Sequence, residues 1–252
     1  MRFLLKTAAA LAVLGSLPGC GPSYFLTMNP RSGAGTWVGG AEIARQQHDS
    51  LEIRLSFVRY EATRLVFEAD MRNNSRRLLT VAPTDFYLQP VVTQPVASTA
   101  AVYPLPGRLM AFDPEPGIQE LQLQVEAESD AATHTSTAEV LTRLSHTVDN
   151  VAAVKKKETK DQIGAREAKQ QRDNDYYTRQ RLEAATAAEQ HRAQLDALRT
   201  HALRRTTVEL GQAVRGYVYF PRADQADVVR VSAPGLAPGT TLDFTQTRRP
   251  QL

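Results

Sequence analysis

The chain has 252 residues, of which 42% are hydrophobic, 23% charged and 7% aromatic, with a single cysteine. This composition excludes a disulfide scaffold, a zinc ribbon, a collagen-like repeat and a polytopic membrane protein. The formal net charge of +3 is unevenly distributed, because residues 20–151 carry −5 and residues 152–205 carry +5. A uniformly basic nucleic-acid-binding protein would not show this pattern, so we expect no nucleic acid among its partners.

The first 19 residues have the features of a secretory signal peptide. A short basic lead precedes the apolar stretch 7–17, which is much shorter than the roughly 20 residues needed to cross a bilayer. The segment Leu17-Pro18-Gly19-Cys20 follows, and Cys20 is the single cysteine of the chain.

This segment resembles the lipobox of bacterial lipoproteins, with Leu17 and Gly19 at the positions recognised by the lipoprotein signal peptidase. Pro18 departs from the Ala or Ser more usual at its position. The resemblance implies a diacylglyceryl thioether on Cys20, cleavage before it and acylation of the new N-terminus. Two or more acyl chains anchor a protein stably, so we expect a lipid-anchored protein of the bacterial cell envelope. Residues 21–23 lack the Asp that resembles an inner-membrane retention signal, which favours the outer membrane.

Residues 20–48 are predicted to be a lipid-anchored flexible tether. Residues 29–40 are rich in turn-forming residues and have no hydrophobic period. Gly33 and Gly35 are spaced as in a nucleotide-binding loop, but Val38 stands where the third glycine belongs and no predicted strand precedes them.

Two separate regions, residues 49–112 and 206–247, are predicted to form the two parts of one antiparallel β-sandwich, followed by a tail over 248–252. Their segments alternate apolar and polar residues with period two and are separated by turn residues. The expected strands are 51–57 and 64–72, joined as a hairpin; 78–81 and 85–92, expected as a pair; and 208–211, 213–220, 228–231 and 241–244.

Three stretches carry a resemblance within these regions: Val66-Phe67-Glu68 with Asn73-Asn74-Ser75, Pro83-x-Asp85-Phe86, and Leu210-Gly211-x-x-Val214-x-Gly216-x-Val218-x-Phe220. They resemble the small immunoglobulin-like domains of bacterial surface lipoproteins, in which a Pro often stands where this chain has Leu210. The resemblance implies a fold and a cell-surface setting, and it brings no catalytic residues with it.

Between the two regions, residues 113–205 are predicted to form a helical insertion that projects as an arm. Asp113-Pro114-Glu115 has the residues of a helix start. An apolar stripe at helical spacing follows, formed by Leu141, Leu144, Val148, Val151 and Val154. A reversal at Asp173-Asn174 would place this stripe near a second helix; a single long helix or a partner-binding coil are the alternatives. The predicted fold class is therefore α+β: an immunoglobulin-like antiparallel β-sandwich with a long α-helical, hairpin-like insertion.

The sequence contains no recognisable catalytic or metal-binding motif. The five histidines form no metal-binding pair, and neither a nucleophile elbow nor a Walker loop is present. We therefore expect no catalytic residues, no metal and no cofactor. Lys155-Lys156-Lys157 heads the basic segment; it is either a contact for an anionic surface or an acidic partner, or a solvated helix face partly neutralised by Glu158 and Asp161.

Two functions are consistent with these features. The first is a non-enzymatic, membrane-anchored envelope lipoprotein that binds another envelope protein, or a second copy of itself, through its helical arm. The alternative is a glycan- or ligand-binding module or a hydrolase whose site lies at the sandwich loops, for example around Tyr103-Pro104-Leu105-Pro106.

Overall fold

The computed structural model describes residues 24–31, 36–48, 51–92 and 107–250. Within these ranges the fold is α+β, with two antiparallel sheets of five strands, a separate pair of short strands, three α-helices and a short 3-10 helix at Pro83–Asp85. The predicted combination of antiparallel sheets with a long helix is confirmed.

The first sheet brings together strands from both ends of the chain. In spatial order it contains β1 (Tyr24–Pro30), β12 (Thr241–Pro250), β11 (Val228–Ser232), β7 (Tyr87–Val91) and β8 (Leu109–Met110). Every neighbouring pair is antiparallel. The pairs β1–β12 and β7–β11 join residues more than 100 positions apart.

The second sheet is built around the strands with the clearest sequence alternation. In spatial order it contains β10 (Ala213–Pro221), β5 (Arg64–Asn73), β4 (Leu51–Tyr60), β3 (Ala41–His48) and β2 (Trp37–Val38). A small separate ladder joins β6 (Leu79–Val81) to β9 (Thr206–Val208).

The two five-stranded sheets share one hydrophobic core. Along β5, Leu65, Phe67, Ala69 and Met71 are at most 1% exposed, as the period-two alternation predicts. The ring of Phe67 lies edge-on to that of Phe244 from β12, with 4.9 Å between ring centroids. Because Phe67 and Phe244 come from different sheets, this contact shows that the core lies between the two sheets.

Three helices follow one another between β8 and β9: α1 (Pro114–Thr133), α2 (Thr137–Lys156) and α3 (Lys160–His201). Asp113 caps α1 by accepting a hydrogen bond from the backbone N–H of Glu115, with Pro114 at the first helical position, as predicted. At about 1.5 Å per residue, the 42 residues of α3 extend for roughly 63 Å.

The prediction of a flexible tether over residues 20–48 is wrong where the structure describes this segment. Residues 24–30 and 41–48 are the strands β1 and β3, and they place Met28 and Ala44 in the core. Gly39 and Gly40 have φ values of 59° and 85°, which makes them the tight turn between β2 and β3. The turn residues in this segment therefore connect strands.

The predicted reversal of the arm at Asp173-Asn174 is also wrong, since both residues lie within α3. The chain reverses at residues 157–159, where Lys157 ends α2 in the left-handed conformation with φ of 52°. Thr159 and Gln162 then form a capping box that starts α3. Two short helices consequently lie end to end along one long helix.

Two details of the strand assignment also need correction. The strands near 78–81 and 85–92 do not pair with each other, because β6 pairs with β9 while β7 pairs with β11 and β8. Residues 248–250 are not a tail, since β12 continues to Pro250 alongside β1. Both errors come from partner strands that lie far away in sequence.

Candidate interaction surface

The helical arm consists of α1, α2 and α3, and its inner half is an ordinary two-helix packing. Ile118 of α1 and Leu195 of α3 are both 5% exposed, and Ala188 lies buried on the same side of α3. Cross-helix hydrogen bonds join the two helices, for example 2.8 Å between His191 Nδ1 and Glu128 Oε2. These contacts hold α1 antiparallel to the C-terminal half of α3.

The base of the arm is fastened to the second sheet where α3 ends. The backbone N–H of Leu203 donates to the carbonyl oxygen of Tyr217 in β10 at 2.8 Å. Gly216 makes this approach possible, because a Cβ at that position would lie 2.7 Å from the Cα of Leu203. Arg204 forms a bidentate ion pair with Glu115 at the start of α1, with N–O distances of 2.6 and 2.9 Å. The hydrogen bonds from Arg204 lower the pKa of Glu115.

The outer half of the arm is held together by polar contacts. His146 Nε2 of α2 lies 2.9 Å from Asp173 Oδ2 of α3, and the Thr142 and Tyr177 hydroxyls are 2.9 Å apart. Gln170 donates to Asn150 at 2.9 Å. The side of α2 that faces α3 is therefore largely hydrophilic, which is the reverse of ordinary helix packing.

Glu139 is the most buried charged residue of this interface, at 3% exposure. Its carboxylate accepts hydrogen bonds from Arg181 at 2.5 Å and from Arg143 at 2.6 Å. The hydrogen bond from Arg181 lowers the pKa of Glu139, because it favours the ionised carboxylate. This cluster joins the start of α2 to the middle of α3.

An open cavity of about 810 Å³ lies beside the break between α1 and α2. Glu128, Asp130 and Glu183 line it together with the Glu139–Arg181 pair, and the remaining lining residues are mostly neutral. Among the residues that the structure describes, no group of three or more potential ligands is arranged to hold a metal ion. The cavity is best described as a gap between helices with several acidic residues in its lining.

The side of α2 that faces away from α3 carries an exposed apolar surface, which we call the α2 stripe: Leu141, Leu144, Val148 and Val151. These four side chains are between 57% and 61% exposed. Val140 and Val154 flank them and are also exposed. The sequence predicted this stripe at the right positions, but its expected burial against a second helix is wrong.

The predicted site residues fall into two groups. Lys155, Lys156 and Lys157 lie together at the outer end of the arm, where all three are exposed. Leu17, Gly19 and Cys20 lie outside the described residues, and so do residues 103–106 of the alternative loop site. Sequence reasoning missed Glu139 and its two arginines, although the spacing of Glu139 and Arg143 by four residues was a visible helical ion-pair pattern.

None of the three described helices combines the length and apolarity required of a membrane-spanning segment. In comparisons with known proteins, no family model, no curated protein and no solved structure matches this chain.

Proposed function

We propose that this chain is a non-enzymatic lipoprotein of the bacterial cell envelope that uses its helical arm to bind another protein. The observation that supports this function is the α2 stripe, whose Leu and Val side chains are more than half exposed on a regular helix. A contiguous apolar surface of this kind is typical of a site that a partner covers. The two facing sheets and their shared core are compatible with an immunoglobulin-like β-sandwich that serves as the platform for the arm.

The arm divides into two parts with different roles in this proposal. The inner half packs through apolar contacts on α1 and is bonded to β10, so it acts as a rigid support. The outer half presents the α2 stripe and ends in Lys155, Lys156 and Lys157. Partner binding therefore belongs to the outer half.

Replacing residues 135–184 with a short linker tests this assignment. The replacement keeps α1 paired with the inner half of α3, because Glu128 lies opposite His191. We expect the remaining protein to keep its strand signal in circular dichroism and to lose the proteins that crosslink to the intact chain in cell envelopes. If every crosslinked partner persists, the proposal is wrong.

The lipid anchor has a separate test. Cys20 is the sole cysteine and stands directly after the predicted signal peptide, which supports lipid attachment there. The absence of Asp from residues 21–23 supports an outer-membrane location. Cys20→Ala should abolish incorporation of labelled palmitate and leave an uncleaved precursor. Normal labelling of this variant would exclude a lipid on Cys20.

A further inference from the structure

We infer that the α2 stripe pairs with the α2 stripe of a second copy of this chain, in antiparallel orientation, to form a short two-helix coiled coil. This inference rests on the proposed function and specifies the partner. Its first basis is spacing: Leu141, Leu144, Val148 and Val151 are separated by three, four and three residues, as in the core of a coiled coil. The buried Glu139 and Ala153, together with half-buried His146, lie on the opposite side of the helix against α3.

The stripe is complementary to itself when one copy is inverted. With the pairing centred at residue 146, Leu141 packs opposite Val151 of the second copy and Leu144 packs opposite its Val148. Every core layer then combines one Leu with one Val, which gives layers of equal volume. Such a two-fold pairing closes on itself and produces a dimer.

The residues along the two sides of the stripe carry no charge, while Lys155 follows its C-terminal end. On one side they are Ala138, Ser145 and Ala152, and on the other Val140, Thr147 and Val154. An interfacial membrane helix typically has Lys or Arg along its polar face and aromatic residues in its apolar face. α2 contains no Phe, Tyr or Trp, its lysines lie together at its C-terminal end, and its one arginine, Arg143, pairs with Glu139. This composition favours a protein partner over a lipid surface.

The charges at the two ends of α2 determine the orientation. In the antiparallel pairing, the exposed Lys155, Lys156 and Lys157 of each copy lie level with residues 135–137 of the other, near Glu128, Asp130 and Glu183, three of the acidic residues that line its cavity. A parallel pairing would instead place the two lysine groups side by side, where they repel one another.

The interface is small, and its size determines the expected affinity. From Val140 to Val154 the surface extends for roughly 21 Å along one helix. The area that two copies would bury through it is therefore at the low end for specific protein interfaces. We therefore expect a dissociation constant on the order of 10 μM. Attachment of both copies to one membrane would raise their effective concentration and favour pairing.

Disulfide crosslinking in a Cys20→Ser background tests the orientation, because this change removes the native thiol of the full-length chain. Leu144→Cys and Val148→Cys are expressed separately with tags of different size. We expect a disulfide-linked dimer when the two variants are mixed, and no dimer from either variant alone. Dimers from each variant alone would show a parallel pairing and overturn the inference, as would the absence of any crosslink.

Sedimentation velocity of the full-length chain tests the surface itself. Leu144→Asp should raise the dimer dissociation constant at least tenfold. Leu182→Asp is the matched control, since Leu182 is 66% exposed on α3 and Leu144 is 60% exposed on α2. Equal effects of the two variants, or a monomer throughout the micromolar range, would overturn the inference. Binding of the monomer to phosphatidylglycerol vesicles that Leu144→Asp abolishes would reassign the stripe to a lipid surface.

These outcomes separate the inference from the proposed function. If the chain is monomeric but replacement of residues 135–184 removes an envelope protein from the crosslinked set, the self-association inference fails and the interaction function stands. If that replacement removes neither a second copy nor another protein, both proposals fail.

Discussion

Gly216 provides the sharpest test of how the arm is fastened to the sheet. The backbone of residues 202 and 203 crosses β10 at this position, with the Leu203 N–H bonded to the Tyr217 carbonyl at 2.8 Å. A Cβ on residue 216 would lie 2.7 Å from both the Cα and the N of Leu203 and 3.1 Å from the carbonyl carbon of Ala202. Gly216→Ala therefore introduces one methyl group against backbone atoms that have no rotamer to change.

The expected loss of stability follows from these distances. Carbon atoms in contact prefer about 3.5–4.0 Å, so the backbone at Leu203 must move away from β10 by roughly 0.8 Å or more. That movement takes the Leu203–Tyr217 hydrogen bond beyond its ordinary range, at a cost of about 1 kcal/mol. Overpacking of this kind costs a further ~1–3 kcal/mol, and the lower entropy of unfolded Ala relative to Gly offsets about 0.5–1 kcal/mol. We expect the free energy of unfolding to fall by about 2 kcal/mol, equivalent to a Tm decrease of roughly 4–8 °C.

Urea and thermal denaturation followed by far-ultraviolet circular dichroism measure this change. Gly164→Ala is the matched control, because Gly164 lies within α3 with nothing within 4 Å of its potential Cβ. The control should stabilise the arm by about 1 kcal/mol through helix propensity alone. A Gly216→Ala protein as stable as the native chain would refute the close approach of the arm to β10.

Two further predictions concern the sheets. Asn73→Ala should lower the free energy of unfolding by about 2 kcal/mol, because Asn73 is 1% exposed and its amide donates to the Val208 carbonyl at 2.9 Å. Urea denaturation measures this loss, and a loss below about 0.5 kcal/mol would contradict the prediction. The hydrogen bond from Arg230 lowers the pKa of Asp243 in the folded protein. This ion pair therefore stabilises the fold fully above the pKa that the Asp243 carboxyl has in the unfolded chain, and the stabilisation is lost as the pH falls through the lowered pKa of the folded state. Asp243→Asn should flatten the acidic limb of the Tm–pH curve, and an unchanged slope would exclude this contribution.

The parts of the fold that sequence predicted well are those in which local pattern and final environment agree. β4 and β5 alternate in sequence, and one face of each is buried in the core. The start of α1 was predictable because Asp113, Pro114 and Glu115 act within a single helical turn. In these segments the information needed lies within a few neighbouring residues.

The segments predicted wrongly fail for different reasons: β1 depends on a distant partner, β3 has little alternation of its own, and the reversal of the arm has a local signal. β1 became a strand because β12 lies beside it, and the two are separated by more than 200 residues. β3 ends in the polar residues Arg45-Gln46-Gln47-His48 and shows little alternation, yet β4 pairs with it along its length. The reversal at residues 157–159 was locally encoded by Thr159 and Gln162 as a capping box, and this pattern was overlooked.

For the α2 stripe, the sequence alone determines its spacing, and the tertiary structure determines the direction in which it faces. Its heptad-like spacing follows from the chain alone, because side chains three and four residues apart share one face of any α-helix. Which way that face points is decided by ion pairs and hydrogen bonds between α2 and α3, above all by Glu139 with Arg181 and by His146 with Asp173.

The single cysteine and the uneven charge can be read from the sequence alone, because both depend only on the composition and order of the residues. The cysteine predicts where the protein is anchored, and the charge distribution shows which segment is basic. Tertiary structure decided where the lysines that head this segment lie, at the outer end of an arm whose apolar surface faces outward. The physical reason is that hydrophobic spacing determines a helix face, whereas the neighbour of that face depends on contacts made after the chain has folded back.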